Sequence, residues 1–485
     1  MRTDAPTRVL VIGSGIAGIL TGIELRNRGL TDFTILEKGD TLGGTWRDNV
    51  YPGVACDVPA HLYSFSFAPN VHPRTRFASG PELWNYFREI AERHDITGHI
   101  RYRTEVADAT WDGTRWTVTT TDGETFVADV VVSGVGRLQQ PSWPDIPGLA
   151  DFRGRLFHSA RWDPAAEIDG ARLGIVGTGS SATQMTVATS SRVAHLDLFQ
   201  RTAQWIFPMD NLTIPWWRRA LMRLLPGYAR RYRAGIKRWV DEIGRAATGD
   251  PRAAEERRQT VVDHLNTVRD PELRAKLTPD YEVGCKRLVI SGEFYDAVQR
   301  DNVDVVTDGI ERVETGGVRT TDGVLHELDT LVLATGFHAD AYLRPMTVTG
   351  EDGVSLDDIW TDVPMNYKSV ALPHMPNFFM INGPFSPGGS ASVLSIIEIH
   401  VGYVMQLIDK VVADRVALAP DPERSAELLA EIRERASKTV WGTGGCTSWY
   451  LDDKGLPLVN PILLDDLEAD MRRPDLADFR TTALT

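Results

Sequence analysis

At 485 residues, 42% of them hydrophobic, the chain is long enough for about three domains and more than one core. Its 52 basic and 66 acidic side chains leave a net charge of −14, which argues against a nucleic-acid surface. With no run of about eighteen apolar residues and only a short polar lead, Met1 to Thr7, the composition predicts a soluble, cytoplasmic protein with no membrane span and no signal peptide.

The first patterned stretch is Val9-Leu10-Val11-Ile12, an apolar, β-branched run. Gly13-Ser14-Gly15-Ile16-Ala17-Gly18 follows, and then a helical pattern through Ile19, Ile23 and Leu25. Strand, glycine loop and helix in that order form the context in which G-x-G-x-x-G signals a dinucleotide. Gly13 makes the tight turn, Gly15 lets the backbone approach a pyrophosphate, and Gly18 lets helix and strand pack. Free N–H groups at the helix start, around Ala17, face the phosphates. A second strand, Phe33 to Leu36, ends in Glu37, nineteen residues after Gly18. A carboxylate there accepts hydrogen bonds from a ribose diol and repels a 2′-phosphate, so FAD or NAD is expected in this half, and not NADP.

Gly43-Gly44-Thr45-Trp46, Asn49-Val50-Tyr51-Pro52-Gly53 and Cys56-Asp57-Val58-Pro59 then describe an ordered loop lying close to something flat. Asp57 reads either as a turn former or as a functional carboxylate. Leu83 to His94 is a predicted helix behind Ser79-Gly80-Pro81-Glu82. Trp116–Thr121 and Glu124–Val132 are predicted strands joined at Asp122-Gly123, and Gly317–Thr321 and Val324–Leu333 repeat the arrangement around Asp322-Gly323. The recurrence predicts an internal duplication, two nucleotide-binding halves each with a meander.

The second half has its own loop. Strand Leu173 to Val176 leads into Gly177-Thr178-Gly179-Ser180-Ser181-Ala182 and a helix, and strand His195 to Phe199 ends at Gln200-Arg201-Thr202. Arg201 lies nineteen residues after Ala182, the offset of Glu37 with the charge inverted. An arginine there grips a 2′-phosphate through two parallel charge-assisted bonds, so the first half reads as FAD-binding and the second as NADPH-binding. The alternative for Arg201 is a surface arginine at a strand end.

Asp210 to Asp270 breaks the α/β rhythm with Pro215-Trp216-Trp217-Arg218-Arg219 and an arginine- and leucine-rich helical run from Leu221 to Arg258. A basic membrane face has this composition too. Charges interrupt the apolar stripe, however, so the pattern predicts a helical insertion packing its apolar side on the body. Near the C-terminus, Ser386-Pro387-Gly388-Gly389-Ser390 precedes a helical pattern from Val393 to Leu407 that is either a core helix or one presenting its positive end to a ligand. The three cysteines, Cys56, Cys285 and Cys446, stand far apart without a C-x-x-C pair. Neither a disulfide framework nor a redox dithiol is expected.

Between the halves, Phe152, Gly154, His158, Trp162 and Asp163 match F-x-G-x-x-x-H-x-x-x-W-[P/D]. On the residues alone, His158 and Trp162 read as hinge packing. The stretch resembles the fingerprint of type I Baeyer-Villiger monooxygenases, of the class B flavoprotein monooxygenase family. Gly43 to Trp46, Tyr51 to Gly53, Cys56-Asp57, Gln200 to Thr202, Cys285 to Arg287, Ala334 to Phe337 and Cys446 to Tyr450 are similar to family blocks in family order. One departure is Gly455-Leu456-Pro457-Leu458-Val459-Asn460-Pro461, where the family commonly has G-R-N-x-x-x-W-P.

The resemblance implies an α/β fold with two Rossmann-like domains and a helical insertion. The FAD part covers 1–145 and 336–485, the NADPH part 146–210 and 271–335, and the insertion 211–270. It implies Arg287 as the active-site arginine beside the flavin, Asp57 as the carboxylate holding it, and Lys286 as a partner of the NADPH phosphate. Cofactor contacts are implied at Gly44, Thr45, Trp46, Cys56, Tyr63 and Val106. The activity implied is NADPH- and O2-dependent insertion of oxygen beside a ketone carbonyl through a C4a-peroxyflavin, giving an ester or lactone. The alternative is an N- or S-oxygenating flavin monooxygenase. The cofactors do the redox work while the protein positions them.

Overall fold

A computed structural model describes residues 6–389 and 391–484, and of Ala247 the backbone alone. Ser390 of the glycine-serine run and Met1 to Ala5 of the polar lead lie outside the described residues. In chain order, β1 (Val9–Ile12), α1 (Ile16–Asn27), β2 (Phe33–Leu36), α2 (Thr45–Asp48), α3 (Gly80–Arg93) and β3 (Ile100–Arg101) precede a meander. The meander is β4 (Val106–Trp111), β5 (Trp116–Thr120) and β6 (Thr125–Ala128), and β7 (Val130–Ser133) follows it. The middle of the chain holds β8 (Arg155–His158), β9 (Arg172–Val176), α4 (Ser180–Thr189), β10 (His195–Phe199) and β11 (Ile206–Phe207). Four helices come next, α5 (Trp216–Leu224), α6 (Pro226–Ala247), α7 (Pro251–Leu265) and α8 (Pro271–Lys276). After β12 (Val289–Ile290), α9 (Phe294–Val298) and β13 (Val303–Val306), a second meander of β14 (Ile310–Glu314), β15 (Gly317–Thr320) and β16 (Leu325–Glu327) leads to β17 (Thr330–Leu333). The chain closes with β18 (Thr347–Thr349), α10 (Leu356–Ile359), β19 (Phe378–Met380), α11 (Val393–Asp414), β20 (Val416–Pro420), α12 (Pro422–Ser437), α13 (Val440–Thr443), α14 (Leu464–Asp470) and β21 (Phe479–Ala483).

Two parallel sheets organise these elements, in the orders β19-β7-β1-β2-β3 and β8-β17-β9-β10-β13. Strands β1, β7 and β17 are buried along their whole length, as sheets covered by helices on both faces require. The orders superpose as β7-β1-β2-β3 on β17-β9-β10-β13, with β19 and β8 each added outside, so the duplication extends to topology. It extends to single bonds as well. Asp129 accepts the Arg8 N–H at 2.8 Å just before β1, and Asp329 accepts the Arg172 N–H at 2.8 Å at the start of β9. Asp122 and Asp322 each accept the hydroxyl of the threonine two residues earlier.

Three expectations are corrected here. The predicted strands Glu124–Val132 and Val324–Leu333 are each two strands, broken where the chain leaves an antiparallel meander for a parallel sheet and an aspartate ties down the crossing. Cys285 and Cys446 form a disulfide with Cα atoms 6.0 Å apart across 161 residues, while Cys56 remains a buried free thiol. The fold brings the turn after α13 onto the segment before β12, and a Cβ on Gly444 would sit 2.7 Å from the Cys285 Cβ, so only glycine permits that approach. In the insertion, Ile236 and Val240 of α6 pack on the main core and α7 buries Val261 and Leu265, but α5 does not lay its apolar side on the body. Its buried side chain is Met222, while Trp216, Trp217 and Leu224 face outward.

Helix α11 runs well past its predicted end. Its N-cap Ser392 makes no side-chain bond, and its inward face from Leu394 to Val411 is buried. No described helix is long and apolar enough to cross a membrane.

Candidate active site

The first glycine loop is shaped for close approach at one position and for packing at the other two. A Cβ on Gly18 would lie 1.9 Å from the Gly13 carbonyl oxygen, and one on Gly13, whose φ is +93°, would meet the Gly134 oxygen at 3.0 Å. On Gly15 the nearest atom would be the Gly44 Cα at 3.8 Å, ordinary contact. The second glycine is therefore not demanded by the protein's own packing, and space beside it is left for a pyrophosphate. Gly15 caps α1 with no side-chain bond, so the first amides of the helix remain free donors. Glu37, almost fully buried, accepts the Ser14 N–H (2.9 Å) and hydroxyl (2.7 Å), the Gly39 N–H (2.7 Å) and Arg47 Nη1 (2.8 Å). Burial pushes its carboxyl up, but bonds from Arg47, Ser14 and Gly39 outweigh it and hold the group ionised. Arg47 escaped the sequence reading because nothing in Thr45-Trp46-Arg47-Asp48 distinguishes it from a surface arginine.

The second loop repeats the geometry. Gly177, with φ +117°, would place a Cβ 2.5 Å from the Ala334 oxygen, whereas nothing lies within 4 Å of one on Gly179. Gly179 caps α4 without a side-chain bond, leaving the amides of Ser180 and Ser181 free. The Thr178 hydroxyl donates to the Thr202 carbonyl at 2.7 Å and Gln200 Nε2 donates to Lys276 O at 2.7 Å, which fixes the strand end carrying Arg201. Arg201 is exposed and enters no ion pair among the described residues. Burial lowers the pKa of Lys286, and the like charge of Arg201 lowers it further. Two cations held near one another, with Asp280 the carboxylate that acts on Lys286, have the chemistry to accept a dianion.

Asp57 and Arg287, 230 residues apart, meet in a single clamp, with Arg287 Nε at 2.9 Å and Nη2 at 2.6 Å from the same Asp57 oxygen, Oδ2. Asp57 is therefore no mere turn former. Its charge raises the Arg287 pKa far above the ordinary value against the opposing effect of burial, so the guanidinium is a permanent cation. The pair lies on the wall of a cavity of about 110 Å³ shared with Val58, Phe207, Met209, Lys286, Trp441 and Tyr450. Trp239, Val240 and Ile243 of α6 complete the apolar side, so the insertion roofs the site. Lone apolar residues of this kind carry no spacing signal, and sequence reasoning missed all of the α6 residues.

The first-half loop from Trp46 to Tyr63 links these parts. Trp46 Nε1 donates to the Tyr63 hydroxyl at 3.3 Å, and their rings meet edge to face. The Ser181 hydroxyl donates to the Tyr51 hydroxyl at 3.2 Å, and Tyr51 donates to Gln184 Oε1 at 2.9 Å, which docks the first-half loop on α4. Burial pushes the Tyr51 phenol up to about 12 and the Cys56 thiol well above its usual value, so Cys56 is no nucleophile. Val106 opens β4, two residues after Thr104, whose N–H donates to the Glu37 carbonyl. It therefore stands near the Glu37 edge and away from the Arg287 cavity. His158 and Trp162 are both buried. His158 Nδ1 accepts the Ala160 N–H and its ring packs against Trp143 and Phe337, while Trp162 stacks edge-on to Phe157, all of it packing. In the departing C-terminal run, Val459 packs with Trp441 and Tyr450 behind the cavity.

A family model described as pyridine nucleotide-disulphide oxidoreductase matches residues 10–248. A Baeyer-Villiger monooxygenase of Streptomyces coelicolor is 40% identical over 481 residues, spanning 98% of this chain and 92% of the relative. Another, of Pseudomonas aeruginosa, is 36% identical over 452 residues, 92% of this chain and 85% of that one. The crystal structure of cyclohexanone monooxygenase from Rhodococcus sp. Phi1 bound to NADP+ has a TM-score of 0.88 at 29% identity, covering 99% of this chain and 100% of the other. With both nucleotide loops and the Asp57–Arg287 clamp in place, and relatives at this identity over nearly its whole length, the chain belongs to the Baeyer-Villiger monooxygenase family.

Proposed function

We propose that the protein is an FAD-containing, NADPH- and O2-dependent monooxygenase that inserts an oxygen atom beside the carbonyl of a small-molecule ketone, giving an ester or lactone. The observation that carries this function is the permanently charged Arg287, clamped by Asp57 on the wall of a largely apolar cavity. Glu37 and the Gly13–Gly18 loop would hold FAD, in a part formed by 1–145 and 336–485. Arg201, Lys286 and the Gly177–Ala182 loop would hold NADPH, in a part formed by 146–210 and 271–335, with 211–270 as the roof. A cytoplasmic location fits a consumer of NADPH.

FAD held by Glu37 and the Gly13–Gly18 loop would supply hydride acceptance from NADPH and the activation of O2. The residues of this chain do the rest. Asp57 takes two of the five guanidinium N–H bonds, fixing the plane of Arg287, and the remaining donors, shared with Tyr450 on the same cavity wall, would meet a substrate bound there. Those donors stabilise the negative charge that develops on the former carbonyl oxygen as the ketone is attacked, and one such preorganised contact supplies about 3 kcal/mol, a hundredfold in rate. The α6 residues and Trp441 give that cavity an apolar side, which strengthens the interaction where they displace water from it. Arg287→Ala is expected to leave flavin reduction by NADPH intact, followed by the loss of oxidised-flavin absorbance, while ester formation falls by about a hundredfold or more. Normal ester yield from the variant would remove Arg287 from the mechanism.

A further inference from the structure

Helix α5 is amphipathic in the inverted sense. At about 100° per residue, Trp216, Trp217, Ala220 and Leu224 fall within one arc of roughly 100°, and Met222 lies opposite. Met222 is the buried one, with 1% of its surface exposed, while Trp216 and Leu224 are each 75% exposed. Leu212 before the helix and Leu225 after it extend the exposed patch. Charge is concentrated around this patch. Residues 211–240 contain eight arginines and lysines and no acidic residue, in a chain whose net charge is −14. Arg233 is spent holding α6 to the body through the carbonyls of His61, Leu62 and Ser64, and Lys237 pairs with Asp241 and Asp465. Arg223, Arg230, Arg231 and Arg238 are exposed and make no ion pair among the described residues.

We propose that α5 and the start of α6 form a docking surface for an anionic lipid membrane, the tryptophans and leucines entering the headgroup layer and the arginines meeting its phosphates. Solvent-facing apolar patches bordered by uncompensated cations have this use, since indole rings and arginine both favour the interface between water and acyl chains. The charge also selects among occupants. A symmetric dimer through the patch would set its cations against the same cations of the second copy, whereas anionic headgroups neutralise them. Docking would be peripheral, with no helix crossing the bilayer. The patch and the Trp239 wall of the cavity share α6, about 20 Å apart along its axis at 1.5 Å per residue.

Sedimentation of the full-length holoprotein with vesicles tests the surface independently of catalysis. With phosphatidylcholine vesicles containing a third of phosphatidylglycerol, at low salt, most of the protein should pellet. Pure phosphatidylcholine should leave it in the supernatant, and about 0.5 M salt should release it. Trp216→Ser/Leu224→Ser should bind at least tenfold more weakly with unchanged melting temperature and NADPH oxidation. Arg223→Glu/Arg231→Glu, which leaves the apolar arc intact, should do the same and serves if the first variant does not fold. Wild type that stays in the supernatant, variants that bind as tightly as wild type, or a wild-type dimer that the Trp216/Leu224 substitution dissolves would each overturn the assignment.

Discussion

Arg201 and Lys286 show how much one side chain decides when its neighbour has the same sign. Burial and the like charge of Arg201 both work against the Lys286 ammonium, and a 2′-phosphate would relieve it, so the preference for NADPH over NADH should rest on the pair. Arg201→Ala is expected to raise KM for NADPH at least tenfold with KM for NADH nearly unchanged, and Lys286→Ala to do so less, because it is a point charge without the forked geometry. Steady-state rates with both nucleotides give the ratio directly, and an equal rise in both constants would return Arg201 to a strand-end role. Arg201 stood out in the sequence because its offset from Ala182 repeats that of Glu37 from Gly18. The Asp57–Arg287 clamp was not legible from spacing, since no periodicity connects residues 230 positions apart. There the resemblance to a family supplied what the residues alone left open between a turn and a carboxylate.

Among the elements, α11 carries a consequence for pH. Its His400 is completely buried, with Nδ1 accepting the Asn382 N–H, and burial lowers its pKa to about 3. His61, beside Arg218 and Arg233, is lowered to about 4, chiefly by burial. The unfolded chain takes up these protons below about pH 6.5 and the folded one does not, so stability is complete above that pH and declines as pH falls toward 3. Each such histidine costs about 2 kcal/mol by pH 5. Urea midpoints measured from pH 7 to 5 should fall accordingly. His400→Asn, which keeps an acceptor near the Nδ1 position, should flatten the decline, and an unchanged slope would exclude His400. The helices themselves were readable from apolar period and caps, as the Ser79–Glu82 capping box of α3 illustrates. Which face of α5 turns outward was not, because Met222 wins the interior through neighbours distant in sequence.

At the scale of the whole molecule, two copies of one plan are joined by a bond that the plan does not contain. The paired aspartates Asp129 and Asp329, the two glycine loops and the repeated strand orders were foreshadowed by the repeat spacing, because each is local to its own copy. The Cys285–Cys446 disulfide was missed for the opposite reason, since it joins parts that only the finished fold brings together. In the chain-entropy account, a link across 161 residues contributes at most about 5 kcal/mol. Cys446→Ser should therefore melt lower than the oxidised wild type, and wild type in excess dithiothreitol should melt with the variant; equal melting temperatures in all three would count against the link. The bond closes a covalent loop from Cys285 to Cys446. Through it Arg287, two residues along, is tied to the C-terminal segment as well as to Asp57. Where thiol buffers reduce it, that covalent tether is lost and the Asp57 clamp remains to hold the guanidinium in the chamber.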